Sequence, residues 1–183
     1  CPPAGVLVMN ILCIMETLMS DTLKVIPTED TVKTGVRDKE GIAVGLNDVL
    51  ADTYRLTFKT HAYHWAVQGP QFYSIHKLTE EQYENLFAAA DELAERCRAL
   101  GALTPFQFSS LIERSVIEDP KELPSAREMV EDLASDHERV AHRMHALIEM
   151  AGDRNDPVTD DLCTARSAFH EKAAWMLRSI AAE

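Results

Sequence analysis

The fold is decided by residues 59–101, which read KTHAYHWAVQGPQFYSIHKLTEEQYENLFAAADELAERCRALG. Apolar residues recur every three or four positions on both sides of the Gly69–Pro70 pair, which is the period of an amphipathic helix. Glycine and proline together end such a helix. We therefore predict one helix over about residues 39–67 and a second over about residues 72–100, capped by Gly101. The turn lets the first helix fold back beside the start of the second.

The rest of the helical region follows the same period. Residues 102–124 form a long connection with three prolines, and residues 107–113 within it predict a short extra helix. Ser125 and Glu128 have the spacing of a capping box and begin a third long helix. Asp156, followed by proline, begins a fourth. No segment alternates as a strand would, so the predicted fold is all-α: a ferritin-like bundle of four long helices with a short extra helix in the long connection.

Composition limits the classes of protein to which the chain can belong. Its 183 residues, 46% of them hydrophobic, suit one domain with a full core. Against 30 Asp and Glu it has 18 Lys and Arg, a formal net charge of −12. Such a chain attracts cations and disfavours a general electrostatic attraction to DNA or anionic lipid. Its four cysteines form no C-x-x-C pair, which favours a reduced, cytoplasmic protein.

An N-terminal extension, residues 1–38, precedes the predicted helical domain of residues 39–183. Residues 4–15 are apolar but number only about 12, too few to span a bilayer. They lack the flanking features of a signal peptide, and we expect no membrane association. We interpret residues 1–18 as artefactual or as the product of an upstream start. The alternative is an arm that packs on a neighbouring chain.

A set of potential metal ligands lies between His64 and Glu95. His76 and Glu80 are four residues apart, and so are Asp91 and Glu95. At 100° per residue, these four positions fall at about 0°, 40°, 60° and 100° around one helix. Imidazole and carboxylate together suit divalent iron or zinc. His64, near the end of the first helix, is brought to the start of this stripe by the turn.

The length of the second helix divides this set into two halves. Glu80 and Asp91 are separated by about 16 Å along a helix, whereas metal–ligand bonds are about 2 Å long. The halves are therefore either separate sites or parts of one site that a second copy of the chain completes. Tyr83 and Phe87 lie beside the stripe and favour a buried subunit interface, which a two-fold dimer would use to form two mixed sites. The structural alternative is an ordinary solvated helix face.

The spacing of these residues also resembles that of a known family. Residues 59–101 contain a His-Trp pair, a Gly-x-x-Phe turn, a His-x-x-x-acid pair and an Asp-x-x-x-Glu-Arg run. Together they resemble the ferroxidase signature of the Dps family, the miniferritins named DNA-binding proteins from starved cells. The resemblance extends over residues 40–183.

The resemblance implies a catalytic di-iron centre shared between two subunits. By this resemblance, His64, His76 and Glu80 bind iron from one chain, and Asp91 and Glu95 bind it from the two-fold-related chain. The family also implies a dodecameric cage that oxidises Fe(II), preferably with hydrogen peroxide. The cage stores Fe(III) and so protects the cell against oxidative stress. Zinc suits the same ligands and is expected to substitute for iron.

Acidic residues between the third and fourth long helices are candidates for an iron entrance. In the family that the chain resembles, acids at this place line negatively charged pores on three-fold axes. We therefore select Asp156 and Asp161 as candidate pore residues. Helix capping explains Asp156 equally well without a pore.

DNA binding, the function in the family name, is disfavoured by the charges. Residues 19–40 have four basic and five acidic side chains, a net charge of −1, and residues 181–183 add no basic tail. We expect DNA binding to be weak or absent. Two rival functions stay open: a nucleoid-associated protein that mainly compacts DNA, and a structural cage whose site holds zinc.

Two aromatic side chains outside the ligand set also have expected roles. His137 lies on the core stripe of the third long helix, and we predict that it is a buried histidine with its hydrogen bonds satisfied. Trp65, next to His64, is expected to pack beside the metal centre; the alternative is that it quenches stray radicals.

Overall fold

The computed structural model describes residues 32–182 of the chain, and its regular structure is helical. The helices are α1 (Lys39–Ala66), α2 (Phe72–Ala99), α3 (Phe108–Arg114), α4 (Ala126–Asp153) and α5 (Pro157–Ala181). No strand occurs within residues 32–182. The prediction of an all-α chain with four long helices and a short helix in the long connection is confirmed.

The start of the chain lies outside this description. Our interpretation of residues 1–18 concerns residues that the structure does not describe, so it stays a prediction. In the part of the chain that is described, no helix is both long enough and apolar enough to cross a membrane.

The four long helices pack as two hairpins, α1 with α2 and α4 with α5, and their apolar faces meet in one core. Each fully buried Leu or Ile stabilises the fold by about 1.5–3 kcal/mol relative to an exposed one. This packing fixes the rotation of each helix about its axis, and therefore the direction of the polar residues opposite the core. Fully buried members of the core include Ile42, Leu46, Leu56, Ile75, Leu86, Leu93, Leu133, Met144 and Leu177.

Helix α2 ends at the predicted glycine. Gly101 has a φ of +90°, in the left-handed region that favours glycine. Its N–H donates to the Arg98 carbonyl at 2.9 Å, and the Ala102 N–H donates to the Cys97 carbonyl at 3.2 Å. These two bonds form a Schellman motif, which satisfies the last carbonyls of α2.

Helix α4 begins with the predicted capping box. The Ser125 hydroxyl accepts a hydrogen bond from the Glu128 N–H, and the Glu128 carboxylate accepts one from the Ser125 N–H at 2.8 Å. Each side chain thus satisfies a backbone donor that the first turn of a helix leaves free.

Candidate metal centre

The turn between α1 and α2 brings two histidines face to face. His64 lies in the last turn of α1 and His76 in the second turn of α2. Between them Gly69 has a φ of +104°, a conformation that lets the chain reverse. The two imidazole rings stack with their centroids 3.7 Å apart and their planes 17° apart. The structure therefore brings these two predicted ligands together.

Reciprocal hydrogen bonds fix the orientation of both rings. The Nδ1 atom of His64 donates to the His76 carbonyl oxygen at 2.8 Å, and the Nδ1 atom of His76 donates to the His64 carbonyl oxygen at 3.0 Å. A carbonyl oxygen only accepts, so in each neutral ring the hydrogen is on Nδ1 and the lone pair is on Nε2. A metal ion requires that lone pair, and a carbonyl partner for the other nitrogen is typical of metal-binding histidines.

Glu80 lies one helical turn beyond His76 and is half-buried. Its carboxylate forms an ion pair and a hydrogen bond with Lys77. This hydrogen bond, followed by weaker attraction from His64 and His76, lowers the pKa of Glu80. Glu80 is therefore ionised at neutral pH, and an ionised carboxylate is the form that binds a metal ion.

The other predicted ligands, Asp91 and Glu95, lie on the exposed surface of α2, far from the histidines. The helix is continuous from Phe72 to Ala99, so the spacing of about 16 Å between Glu80 and Asp91 stands. Within residues 32–182, no three His, Cys, Asp or Glu side chains form a group that could hold a metal ion. One chain thus presents two separate half-sites, and the assignment of all five ligands stays a prediction.

An exposed aromatic face borders the histidines. We use this name for Tyr54, Phe58, Trp65 and Phe87, of which the last three are 61–63% exposed. Tyr83 lies beside this face; its ring stacks on His61 at 4.1 Å and meets His64 edge-on at 5.3 Å. In the single chain the Trp65 ring is mostly exposed and lies against His61, with the ring planes tilted by 44°, so its packing beside the centre stays a prediction. Monomeric proteins rarely leave such an apolar patch uncovered.

The two candidate pore residues differ in their surroundings. Asp156 is fully buried, accepts a hydrogen bond from the Thr159 N–H at 3.0 Å as the cap of α5, and pairs with Arg96 at 2.5 Å. Burial alone would raise the pKa of Asp156, but the bonds from Arg96 and Thr159 outweigh burial and lower it. A carboxylate enclosed in this way cannot line a pore, so the capping alternative replaces the pore role of Asp156. Asp161 is exposed and stays a candidate pore residue.

Comparison with known proteins places the chain in a family. The family model of the ferritin-like domain matches residues 44–183. Over 134 residues the chain is 35% identical to DNA protection during starvation protein 2 from Bacillus anthracis, an alignment that covers 73% of this chain and 92% of that protein. The chain belongs to the Dps family of ferritin-like proteins.

Two further proteins are similar to the chain. An uncharacterized low temperature-induced protein from a Nostoc strain is 39% identical over 152 residues, which are 81% of this chain and 85% of that protein. The crystal structure of a Dps protein from Vibrio cholerae, described as a member of a broad superfamily of ferritin-like diiron-carboxylate proteins, superimposes with a TM-score of 0.77. It is 28% identical, and the match covers 85% of this chain and 99% of that one.

The structure of this Dps family member adds features that we did not predict from the sequence. Lys77 was not singled out, although its position three residues before Glu80 is a common ion-pair spacing on a helix. The reciprocal bonds of His64 and His76 have no sequence signature, because the accepting groups belong to the backbone. These features decide how the predicted side chains are oriented and charged.

Proposed function

We propose that this protein is a cytoplasmic iron-storage and detoxification protein that oxidises Fe(II) at a centre shared between two chains. The observation that carries the proposal is the pair of histidines whose Nδ1 atoms both donate to backbone carbonyls. This arrangement leaves a lone pair on each Nε2, and Glu80, whose pKa both imidazoles help to lower, supplies a carboxylate one helical turn beyond His76. Imidazole and carboxylate ligands bind Fe(II), and carboxylate also stabilises Fe(III).

The second half of the proposed centre comes from a copy of the chain. Asp91 and Glu95 are too far along α2 to reach His64 and His76 of their own chain, and the exposed aromatic face supports an interface beside the half-sites. A two-fold dimer places the Asp91 and Glu95 of each chain against the histidines of the other. We propose that six such dimers form the dodecameric cage.

The proposed reaction oxidises iron as its substrate with hydrogen peroxide. Two Fe(II) ions each give one electron to one peroxide molecule, whose O–O bond breaks, and two protons complete two water molecules. Both electrons are delivered at one centre, so no hydroxyl radical is released. The protein residues bind and orient the ions, and the imidazoles stay in place because their Nδ1 atoms are held by the backbone.

Stopped-flow oxidation tests the proposal directly. The protein is loaded with Fe(II) without oxygen, hydrogen peroxide is added, and the ferric absorbance is followed for the wild type and for a His76→Ala, Glu80→Ala double variant. We expect fast oxidation in the wild type and the protein-free rate in the double variant. Glu81→Ala is the matched control, since it removes a neighbouring exposed carboxylate of α2 and should keep the wild-type rate.

Mixed cages test whether the centre is shared. A second inactive variant carries Asp91→Asn and Glu95→Gln. When it is mixed with the His76→Ala, Glu80→Ala chain, unfolded and reassembled, each mixed dimer regains one intact centre, so random pairing restores about one quarter of the wild-type rate. No recovery would contradict the shared centre. Absence of protein-dependent oxidation in the wild type would instead favour the structural cage that holds zinc.

DNA compaction is the rival function, and we expect DNA binding by this chain to be weak or absent. A chain with a net charge of −12 releases few counterions from DNA. In a gel-shift assay with linear duplex DNA, we expect no shift at about 50 mM or about 150 mM NaCl. Tight binding at both salt concentrations would contradict this expectation.

A further inference from the structure

Helix α4 carries its three histidines on two different faces. His137 faces the core: it is fully buried, and its Nδ1 atom lies 2.8 Å from the Nδ1 atom of His170 on α5, which is also fully buried. One ring donates to the other, so the accepting ring carries its hydrogen on Nε2. Neither Nε2 atom has a partner in the described part of the chain, which corrects the prediction that His137 is a satisfied histidine. His142 and His145, in contrast, are exposed.

A stripe of side chains with metal-binding groups follows the exposed face of α4. The stripe consists of Glu138, His142, His145 and Glu149, which are spaced by four, three and four residues. This spacing keeps them within about 60° of one another around the helix. The rings of His142 and His145 have their centroids 6.2 Å apart. The two imidazoles are therefore neighbours on one side of α4.

The neighbouring helix α5 supplies a carboxylate to this stripe. The Nε2 atom of His145 donates to Oε1 of Glu171 at 3.0 Å, across the gap between α4 and α5. Two ligands of one tetrahedral zinc ion, with bonds of about 2.0–2.2 Å, lie about 3.3 Å from each other. The imidazole nitrogen and the carboxylate oxygen are thus almost at the separation that a shared ion requires. Binding of the ion replaces the proton between them, which is released to solvent.

His142 is placed to complete the set. Two imidazoles on one tetrahedral ion have their centroids about 5 Å apart, so the two rings must approach each other by about 1 Å. Both side chains are exposed, and rotation about their side-chain bonds covers this distance without moving α4. In the structure His145 and Glu171 are in contact and His142 has not yet joined them, so no three potential ligands are grouped within residues 32–182.

An open cavity of about 370 Å³ gives an ion room at these side chains. The cavity lies between α4 and α5, and His142, His145 and Glu171 are among the residues that line it. Arg178 lines it too, but its guanidinium donates to both carboxylate oxygens of Glu138, at 3.1 Å and 3.0 Å. With Arg178 paired in this way, the carboxylate of Glu171 is left to balance the charge of a cation.

We propose that His142, His145 and Glu171 bind one divalent zinc-type ion between α4 and α5, with water as the fourth ligand. Two imidazoles, one carboxylate and an open position are a donor set typical of zinc. Cu(II) binds such donors more tightly than zinc does, and Fe(II) and Co(II) bind them more weakly. Unlike the proposed iron centre, this site has all its protein ligands in one chain, and it does not depend on that centre.

Quenching of tryptophan fluorescence by Cu(II) tests the site in the full chain. The chain has two tryptophans, and a Trp65→Phe variant leaves Trp175, which lines the same cavity one turn beyond Glu171. Cu(II), supplied as its glycine complex, should quench Trp175 and saturate at about one ion per chain. An excess of Zn(II), which does not quench, should displace the copper and restore the emission.

Three substitutions in the Trp65→Phe chain locate the ion. His145→Ala and Glu171→Gln should each weaken the binding of Cu(II) by about 10- to 100-fold, since loss of a ligand costs at least as much as loss of a residue that supports a ligand. Glu149→Gln is the matched control, because it removes a carboxylate of the same stripe that does not line the cavity, and it should keep the affinity. The changed side chains are exposed, and circular dichroism establishes that the variants fold.

Four results would overturn the proposal. Emission of Trp175 that Cu(II) does not quench, or quenching that is unchanged in His145→Ala, would show that no ion binds at the cavity. Weaker binding in His145→Ala but not in Glu171→Gln would show that copper binds the histidines of α4 alone, without α5. Quenching that excess Zn(II) does not reverse would exclude a zinc-type ion.

Discussion

The two helical hairpins each contain a close pair of histidines, and the pairs differ in what their Nδ1 atoms bind. In the α1–α2 hairpin, the Nδ1 atoms of His64 and His76 donate to carbonyl oxygens. In the α4–α5 hairpin, the Nδ1 atoms of His137 and His170 bind each other. The first arrangement leaves two lone pairs on Nε2, whereas the second leaves one lone pair and one N–H.

This difference shows that the partner of one ring nitrogen determines the chemistry of the other. The first pair borders an exposed face, and we propose that it accepts a cation. The second pair is enclosed near the positive guanidinium of Arg166, which repels a cation. Distance between the rings alone would not distinguish a metal site from a core contact.

The largest effect is expected in the turn of the α4–α5 hairpin, where the Asp156 carboxylate is enclosed at the start of α5. Asp156→Ala removes the cap of α5 and leaves Arg96 without its buried partner. Loss of one member of a buried pair costs about 3–5 kcal/mol in the free energy of unfolding. Urea unfolding of the wild type and the variant at neutral pH measures this loss of unfolding free energy. Asp161→Ala, at an exposed position, should change the free energy by less than about 0.5 kcal/mol; equal effects would contradict the burial of Asp156.

The same substitution in each histidine pair should separate their roles. His76→Gln removes a free Nε2 lone pair, and we expect the affinity for Co(II), a spectroscopic substitute for Fe(II), to fall by about 100-fold. His170→Gln should leave that affinity unchanged, since its pair lies in the core of the other hairpin. Titration of the Co(II) absorption bands gives both values. A comparable loss of Co(II) affinity in both variants would contradict the different roles of the two histidine pairs.

The buried pair should also make stability depend on pH. Burial lowers the pKa of His137 to about 3 and that of His170 well below its usual value. The unfolded chain therefore takes up protons that the folded chain does not, and the free energy of unfolding decreases as the pH falls below about 6.5. Replacing one of them, as in His170→Gln, should reduce this slope by about 1.4 kcal/mol per pH unit. Urea unfolding between about pH 4.5 and about pH 6 measures the slope, and an unchanged slope would contradict the lowered pKa.

Local sequence signals predicted the fold well because helix ends are encoded by neighbouring residues. The capping box of Ser125 and Glu128 and the left-handed cap at Gly101 involve contacts within a few positions of the chain. The period of the apolar residues determines which face of each helix is buried. These features do not require knowledge of any distant contact.

Contacts between distant residues could not be predicted in the same way. Asp156 was assigned to a pore from the family resemblance, and its burial could not be predicted because its partner Arg96 lies 60 residues earlier in the chain. The burial of His137 followed from the apolar stripe of its helix, but its contact with His170 depends on how α4 and α5 are rotated. The separation of Glu80 from Asp91 along α2 could be predicted, because a helix has a fixed rise per residue and α2 is continuous.

The turn around Gly69 limits how the length of the chain can vary. A side chain at Gly69 would meet no atom within 4 Å, so the glycine is required by its backbone angle and not by lack of space. One inserted residue before His76 would rotate its side chain by about 100° and break both carbonyl bonds. Insertions and deletions are therefore excluded between His64 and His76, whereas exposed positions in residues 102–124 can absorb them.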